Sequence, residues 1–138
     1  MAEQLGLFSR MSLNPLPELK RLMRAAIKDS GLSRAEVAAM MNDLAEVEGI
    51  AREVSLDCLN SWLKNEDNRH IPMELLAIFC KAVGSVMPFQ AFLLPLGALA
   101  VDGKELAALE LGRAVIMKKQ ARRKEKLAML KLNMNDEI

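Results

Sequence analysis

Residues 54–65 read VSLDCLNSWLKN and carry several helix signals in a short space. Ser55 has the side chain of a good helix N-cap, and the carboxylate of Asp57 in the first turn suits the positive end of a helix dipole. Apolar residues recur at helical spacing behind this cap: Leu56, Leu59, Trp62 and Leu63. The stretch therefore predicts a short amphipathic helix, with the indole of Trp62 anchoring it to a core.

LSRAEVA, residues 32–38, predicts the start of another helix upstream. Ser33 and Glu36 are spaced as a capping box, in which a hydroxyl and a carboxylate satisfy each other's backbone amides. Residues 45–53 lie between the two helices and are ambiguous. Gly49 ends a helix, interrupts a longer one or lies in an extra turn, and the sequence leaves these three alternatives open.

Further helices are predicted on both sides of this pair. Pro17 begins a first helix that stops at Gly31, with an apolar stripe on one face. The opposite face carries Lys20, Arg21, Arg24 and Lys28. Pro72, at a first-turn position, begins a fourth helix that Gly84 ends, and a short fifth helix follows around residues 88–94. Methionines at helical spacing are predicted core residues: Met23, Met40 and Met41.

The composition indicates an all-α fold with one compact core. The 138 residues are 51% apolar and only 4% aromatic, and unbranched side chains keep their rotamer freedom in a helix. A long C-terminal helix begins after Asp102, which has Glu105 at the capping-box position. We predict four regions: a flexible leader at 1–16, a helical domain at 17–97, the long helix at 102–133 and a tail at 134–138.

The sequence lacks the residues that several functions need. Cys58, Cys80 and the single His70 cannot form a four-ligand zinc site without carboxylates, and no Ser or Cys nucleophile stands at a recognisable spacing from His70. The longest apolar stretch, residues 86–101, is interrupted by prolines and falls short of the ~20 residues of a membrane span. We therefore expect a cytoplasmic protein that is not an enzyme, with no metal, cofactor, small-molecule ligand or membrane partner.

Two segments are strongly and oppositely charged, although the whole chain has a formal charge of +1. Residues 42–68 hold seven carboxylates and two cations, a net charge of −5. Residues 113–131 hold eight cations against Glu125 alone, a net charge of +7. This basic segment is a candidate DNA contact through Arg113, Lys118, Lys119, Arg122, Arg123, Lys124 and Lys126.

Two other roles for the long helix stay open. A weak heptad pattern of apolar residues favours coiled-coil pairing, although Arg113, Gln120 and Arg123 interrupt it. Alternatively, the basic segment docks on the acidic segment 42–68 of a neighbouring subunit.

The two quoted stretches also resemble a known family. LSRAEVA resembles the second-helix signature of the Cro and phage-repressor (XRE-like) class of DNA-binding domains, and VSLDCLNSWLKN looks like the recognition-helix signature of that class. The resemblance covers residues 17–97. More narrowly, LNSW at 59–62 and RHIP at 69–72 are similar to small helix-turn-helix proteins of Mu-like prophages.

The resemblance implies a five-helix, lambda-repressor-like helix-turn-helix fold, with the helix at 55–64 in the major groove of DNA. The chain departs from it in one place, because the distance from Ala38 to Ser55 exceeds that of the family by roughly eleven residues. By the same resemblance, the residues that face base edges are Leu56, Asp57, Asn60 and Ser61. Those that contact phosphates are Ser33, Arg34, Lys64, Asn68 and Arg69.

Physical chemistry supports the assignment of Arg34 separately, because it follows a helix N-cap, where exposed amides and the dipole attract an anion. We expect a sequence-specific DNA-binding transcriptional regulator, which the resemblance implies is prophage-encoded. It would bind double-stranded DNA as a homodimer, because one recognition helix reads only a few base pairs. The alternative is a helical protein–protein interaction module on a degenerate helix-turn-helix scaffold, without specific DNA binding.

Overall fold

The computed structural model describes the backbone of residues 12–136 and the side chains of residues 12–133, and all regular structure in this range is helical. Most of the predicted leader and the last two residues of the predicted tail lie outside it. The chain divides into two units, residues 1–100 and 101–138. The described α-helices are α1 (Leu16–Ser30), α2 (Arg34–Val47), α3 (Leu56–Leu63), α4 (Met73–Val83), α5 (Gln90–Leu93) and α6 (Gly103–Asp136), with 3-10 turns at Met87–Phe89 and Leu94–Leu96.

The helix ends follow the predicted sequence signals closely. The hydroxyl of Ser33 accepts a hydrogen bond from the amide of Glu36 at 3.1 Å, and the carboxylate of Glu36 accepts one from the amide of Ser33 at 3.4 Å, so the capping box is confirmed. Gly31 and Gly84 take the left-handed conformation that ends α1 and α4. Pro72 is the N-cap of α4 and precedes its first turn, one position earlier than expected.

The segment between α2 and α3 is part helix and part loop. α2 continues to Val47, and Gly49, at φ 70°, reverses the chain direction just beyond it. The side chain of Asn42 then holds the loop, because its amide donates to the carbonyl oxygen of Val54 at 2.9 Å and its Oδ1 accepts from the amide of Val54 at 2.7 Å. This pair of bonds fixes the residue that immediately precedes the N-cap of α3.

The core of residues 12–100 lies between α1, α2, α3 and α4. α1 packs on α3, α4 and α5, and α2 packs on α3 and α4. The largest fully buried side chains include Phe79, Met23, Met41, Leu59, Leu63 and Leu75. Trp62 is 5% exposed, as expected of a core anchor. Met40 is a correction, because it is 40% exposed: its neighbour Met41 takes the inward position on α2.

The buried side-chain amide of Gln90 holds the carboxyl-terminal end of residues 12–100 in place. Gln90 donates to the carbonyl oxygen of Ala98 at 3.2 Å and accepts from the amide of Ala100 at 2.8 Å. The predicted fifth helix is therefore a compact series of a 3-10 turn, α5 and a second 3-10 turn, and Gln90 holds the irregular segment 98–100 against it.

α6 is a single continuous helix of 34 residues, about 50 Å long at ~1.5 Å per residue. Asp102 accepts a hydrogen bond from the amide of Glu105 at 2.8 Å, as its sequence position predicted. The helix extends to Asp136 and so includes three residues assigned to the tail. All its described side chains are exposed, including ten large apolar ones: Leu106, Leu109, Leu111, Val115, Ile116, Met117, Leu127, Met129, Leu130 and Leu132.

Candidate nucleic-acid interface

α3 is positioned from its amino end by local sequence signals. The hydroxyl of Ser55 accepts from the amide of Cys58 at 3.1 Å, and this N-cap sets the first turn. Val54 and Leu59, which precede and follow the cap at the spacing of a hydrophobic staple, are both buried. The inner face of α3 is thus fixed, and its other face is left for solvent.

Three of the four predicted base-contacting residues lie on the outer part of α3. Leu56 is 45% exposed, Asp57 is exposed and Asn60 is half-buried. Leu56 and Asn60 are four residues apart and therefore share one face of the helix. Together with Asp57 they present an apolar group, a carboxylate and an amide, the types of group that contact thymine methyls, cytosine and adenine in a major groove.

Arg34 lies beside this face. Its Nη1 donates to Oδ1 of Asn60 at 2.8 Å, across 26 residues of sequence. Arg34 is the first residue of α2, so the contact brings the positive end of that helix next to the middle of α3. Ser33, which caps the same helix end, is also exposed. A cation, exposed amides and polar side chains of α3 therefore share one surface.

Ser61 is a correction to the predicted set. It is 6% exposed, and its hydroxyl donates to the carbonyl oxygen of Asp57 one turn earlier, at 3.0 Å. The reason is its position on α3, because Ser61 directly precedes the core residue Trp62, and Lys20 of α1 donates to its carbonyl oxygen. Its hydroxyl is not presented to a base edge in this structure.

The loop after α3 carries the remaining predicted phosphate contacts, Lys64, Asn68 and Arg69, and all three are exposed. Arg69 is already paired within the loop: its backbone amide donates to Oδ1 of Asp67 at 2.9 Å, and its Nη2 lies 3.3 Å from Oδ2. These hydrogen bonds from the Arg69 side chain and backbone lower the pKa of Asp67 to about 2. Asp67 therefore stays charged at physiological pH and orients Arg69.

Two cations of α1 that were placed on the face opposite its apolar stripe, Lys20 and Arg24, lie against the end of α3. Lys20 is 3% exposed, and its Nζ donates to the carbonyl oxygens of Ser61, Trp62 and Arg69 at 3.1, 3.0 and 2.8 Å. Nη1 of Arg24 donates to the carbonyl oxygen of Leu63 at 2.6 Å. Burial lowers the pKa of Lys20, while the charge of Asp67 raises it.

Sequence reasoning missed Lys20 because a lysine in a charged run is most often solvated. One signal was available in the printed sequence: Lys20 directly follows Leu19 and precedes Met23 by three residues, so it borders the apolar stripe of α1. Its hydrocarbon stem packs in the core, and three carbonyl oxygens satisfy its ammonium group.

The carboxylates of the acidic segment 42–68 lie in three different parts of the structure. Asp43, Glu46 and Glu48 lie in the carboxyl-terminal half of α2 or just beyond it, and Glu46 is about 18 Å along that helix from Arg34 at ~1.5 Å per residue. Glu53 is in the loop, where its neighbour Arg52 forms an ion pair with Glu74 of α4 at 2.6 Å. Only Asp57, Glu66 and Asp67 remain on α3 and its following loop, and the charge of Asp67 acts on Lys20 of α1.

The predicted basic residues of α6 are all exposed: Arg113, Lys118, Lys119, Arg122, Arg123, Lys124 and Lys126. At about 100° per residue, Lys118, Lys119, Arg122, Arg123 and Lys126 fall within an arc of about 140°, and Arg113 and Lys124 lie outside it. Among the described side chains, α6 therefore presents most of this positive charge on one side. This is compatible with phosphate contact and does not by itself assign it.

Other kinds of site were also sought in the described part of the chain. No group of three or more His, Cys, Asp and Glu side chains there is arranged to hold a metal ion. Burial raises the pKa of the Cys80 thiol to about 11, so this thiol is neutral at physiological pH. No described helix combines the length and the apolarity that a membrane crossing requires.

Comparison of the chain with family models, with curated proteins and with solved structures gave no match. The assignment of function therefore depends on the geometry described above and on the sequence signatures.

Proposed function

We propose that this protein is a sequence-specific DNA-binding regulator of the helix-turn-helix type, with α3 entering the major groove. α2 and α3 would be the two helices of the motif, and α1, α4 and α5 would support them. Relative to the helix-turn-helix family, the chain has additional residues between Ala38 and Ser55. These residues extend α2 to Val47 and form the loop that Asn42 holds. They leave the amino end of α2 beside the middle of α3.

The observation that carries the proposal is the hydrogen bond between Arg34 and Asn60 at 2.8 Å. In helix-turn-helix proteins, the amino end of one helix holds a backbone phosphate while the next helix reads bases. Here the candidate phosphate contact and a candidate base contact touch each other. A single bound duplex would therefore meet both.

The proposed mode of binding is a homodimer on double-stranded DNA. α3 has eight residues and is about 12 Å long, so one copy reads only a few base pairs. Two copies would read two half-sites and give the specificity that a regulator needs. The basic residues of α6 would add sequence-independent affinity through phosphates.

The proposal is tested by titrating a labelled pool of random-sequence duplexes with the full chain at low and at physiological salt, followed by sequencing of the bound fraction. Salt-sensitive binding with an enriched motif is the expected result, and the motif spacing would report the dimer geometry. Salt-sensitive binding with no enrichment would assign the affinity to α6 alone. Absence of binding at low salt would contradict the proposal.

A second candidate function is a helical protein–protein interaction module. The exposure of ten large apolar side chains along α6 favours it, because soluble chains rarely leave so many apolar groups without a partner. Sedimentation of the full chain with and without duplex separates the two. A self-association that does not change when DNA is added, with no enriched motif, would favour the interaction module.

A further inference from the structure

We infer that Lys20 and Arg24 of α1 form a clamp that positions the carboxyl end of α3 and the loop Lys64–Arg69 for contact with phosphates. The two residues are one helical turn apart on α1, so both side chains project toward the same place. Neither is among the residues that the sequence signatures assign. The inference rests on the proposed function, because it gives that interface its supporting residues.

The geometry of Lys20 carries most of the inference. The last carbonyl groups of a helix have no partner within the helix and carry the negative end of its dipole. Lys20 satisfies two of these, those of Ser61 and Trp62, and uses its third N–H on the carbonyl oxygen of Arg69. One ammonium group therefore ties the end of α3 to the far end of the loop.

Arg24 closes the near end of the same loop. Its Nη1 donates to the carbonyl oxygen of Leu63 at 2.6 Å and to Oδ1 of Asn65 at 3.0 Å. The loop is thus held at its start by Arg24 and at its end by Lys20. Lys64 and Asn68 lie between these two points. Arg69 is held through its backbone carbonyl oxygen, so its guanidinium can pair with Asp67, which orients it.

The clamp also changes the electrostatics of the interface. Taken alone, the segment 42–68 would repel phosphates through its net charge of −5. Two cations from α1 lie against its carboxyl end, and the charge of Asp67 acts on Lys20 directly. Lys20 is buried and does not reach DNA, so it acts as a positioning residue through the loop.

The test compares Lys20→Met with Lys28→Met in the full chain. Both substitutions remove one positive charge from α1, but Lys28 is exposed, and among the described residues no hydrogen bond or ion pair joins its side chain to α3 or the loop. Amide hydrogen exchange is read at Lys64, Asp67 and Arg69, whose amides donate hydrogen bonds within this segment. The salt dependence of duplex binding is measured on the same samples.

For Lys20→Met we expect exchange at these three amides to rise about tenfold or more while the amides of α2 keep their protection. The slope of binding against salt should fall by about two, because Lys64 and Arg69 would no longer reach phosphates together. Lys28→Met should leave loop exchange at the parent level. A loss of protection spread evenly over all helices, with an unchanged slope, would overturn the inference.

Arg24 provides a milder variant in case Lys20→Met does not fold. Arg24→Met should loosen the start of the loop, and Arg24→Lys should restore most of its protection, because a cation still faces the carbonyl oxygen of Leu63. Equal protection in Arg24→Met and the parent would count against the clamp. If the parent chain binds no duplex, the proposed function fails, while the exchange pattern still supports or overturns the clamp.

Discussion

The guanidinium of Arg34 and the side chain of Asn60 are joined by a hydrogen bond of 2.8 Å, and this contact connects the amino end of α2 with the exposed face of α3. It uses Oδ1 of Asn60 as the acceptor and so leaves the amide N–H groups of that side chain as its outward donors. Arg34 thus has two expected roles, as a cation for phosphate and as the group that orients Asn60.

Replacement of Arg34 by Ala should therefore affect both affinity and sequence preference. We expect weaker binding to all duplexes, a salt slope lower by about one, and a broader preference at the base that Asn60 contacts. Asn60→Ala should broaden the preference and leave the slope unchanged. Lys28→Ala, on an exposed position of α1, is the matched control. Binding of Arg34→Ala equal to the parent would show that the proposed docking orientation is wrong.

Acid should loosen the loop after α3 through Asp67. The pKa of this carboxyl is about 2 in the folded protein and 3.8 in its ordinary state, because Arg69 donates hydrogen bonds to the charged form. A depressed folded pKa adds stability that is present above the ordinary value and lost as the pH falls from about 3.8 toward about 2.

The measurement is the free energy of unfolding of the parent and of Asp67→Asn between pH 2 and pH 7 in urea. The difference between them should be constant above about pH 5 and should shrink toward pH 2. Asp43→Asn is the control, because Asp43 is an exposed residue of α2 that forms no ion pair within the described part of the chain. A difference that does not change with pH would show that Asp67 contributes no such linkage.

Removal of the Asn42 side chain should destabilise the protein by about 1–3 kcal/mol. Asn42→Ala leaves both backbone groups of the buried Val54 without their side-chain partner. Urea unfolding at constant m-value measures the change. Asp43→Ala alters the next residue of the same helix, which is exposed, and should stay within about 0.5 kcal/mol of the parent. A similar small change in Asn42→Ala would show that the loop does not need this anchor.

Neutralising the basic part of α6 should reduce affinity without changing the motif. In the variant Lys118→Gln, Lys119→Gln, Arg122→Gln and Arg123→Gln, the salt slope should fall by up to about four, because each lost phosphate contact releases one fewer counterion. Lys104→Gln, on the same helix but outside residues 113–131, is the control. An unchanged slope would remove α6 from the DNA contacts and favour a role in protein pairing.

Local features of the fold could be predicted from the sequence to a large extent. The caps at Ser33 and Ser55, the glycine at position 31 and the burial of Trp62 were all predicted, because each depends on residues a few positions apart. The boundaries of α2 could not be predicted, since Gly49 allowed three interpretations. The contact between Asn42 and Val54 selected one of them, with the helix ending at Val47.

The candidate site was predicted less completely. Its exposed members on α3 and on the loop were named from the resemblance, but Ser61 is buried, and so is Lys20, which was placed on the face of α1 opposite the apolar stripe. The two errors, at Ser61 and at Lys20, have the same origin, which is the packing of α1 against α3. Lys20 of α1 donates to the carbonyl oxygens of Ser61 and Trp62 near the carboxyl end of α3. Helical periodicity shows which side of α1 is apolar. It does not show which carbonyl groups of another helix will accept hydrogen bonds from a lysine at the edge of that side.

The helical class, the caps and most inward positions of α1 to α4 could be inferred from the sequence alone, because they follow from hydrogen bonds and apolar spacing within about one or two turns. The partners of Lys20, Arg24 and Arg34 emerge only from the folded chain, since they lie 26 to 49 residues away in the sequence. Such contacts form when packing of the core brings distant backbone groups together. Burial then leaves each carbonyl or amide in need of a donor or acceptor, and the nearest long side chain supplies it.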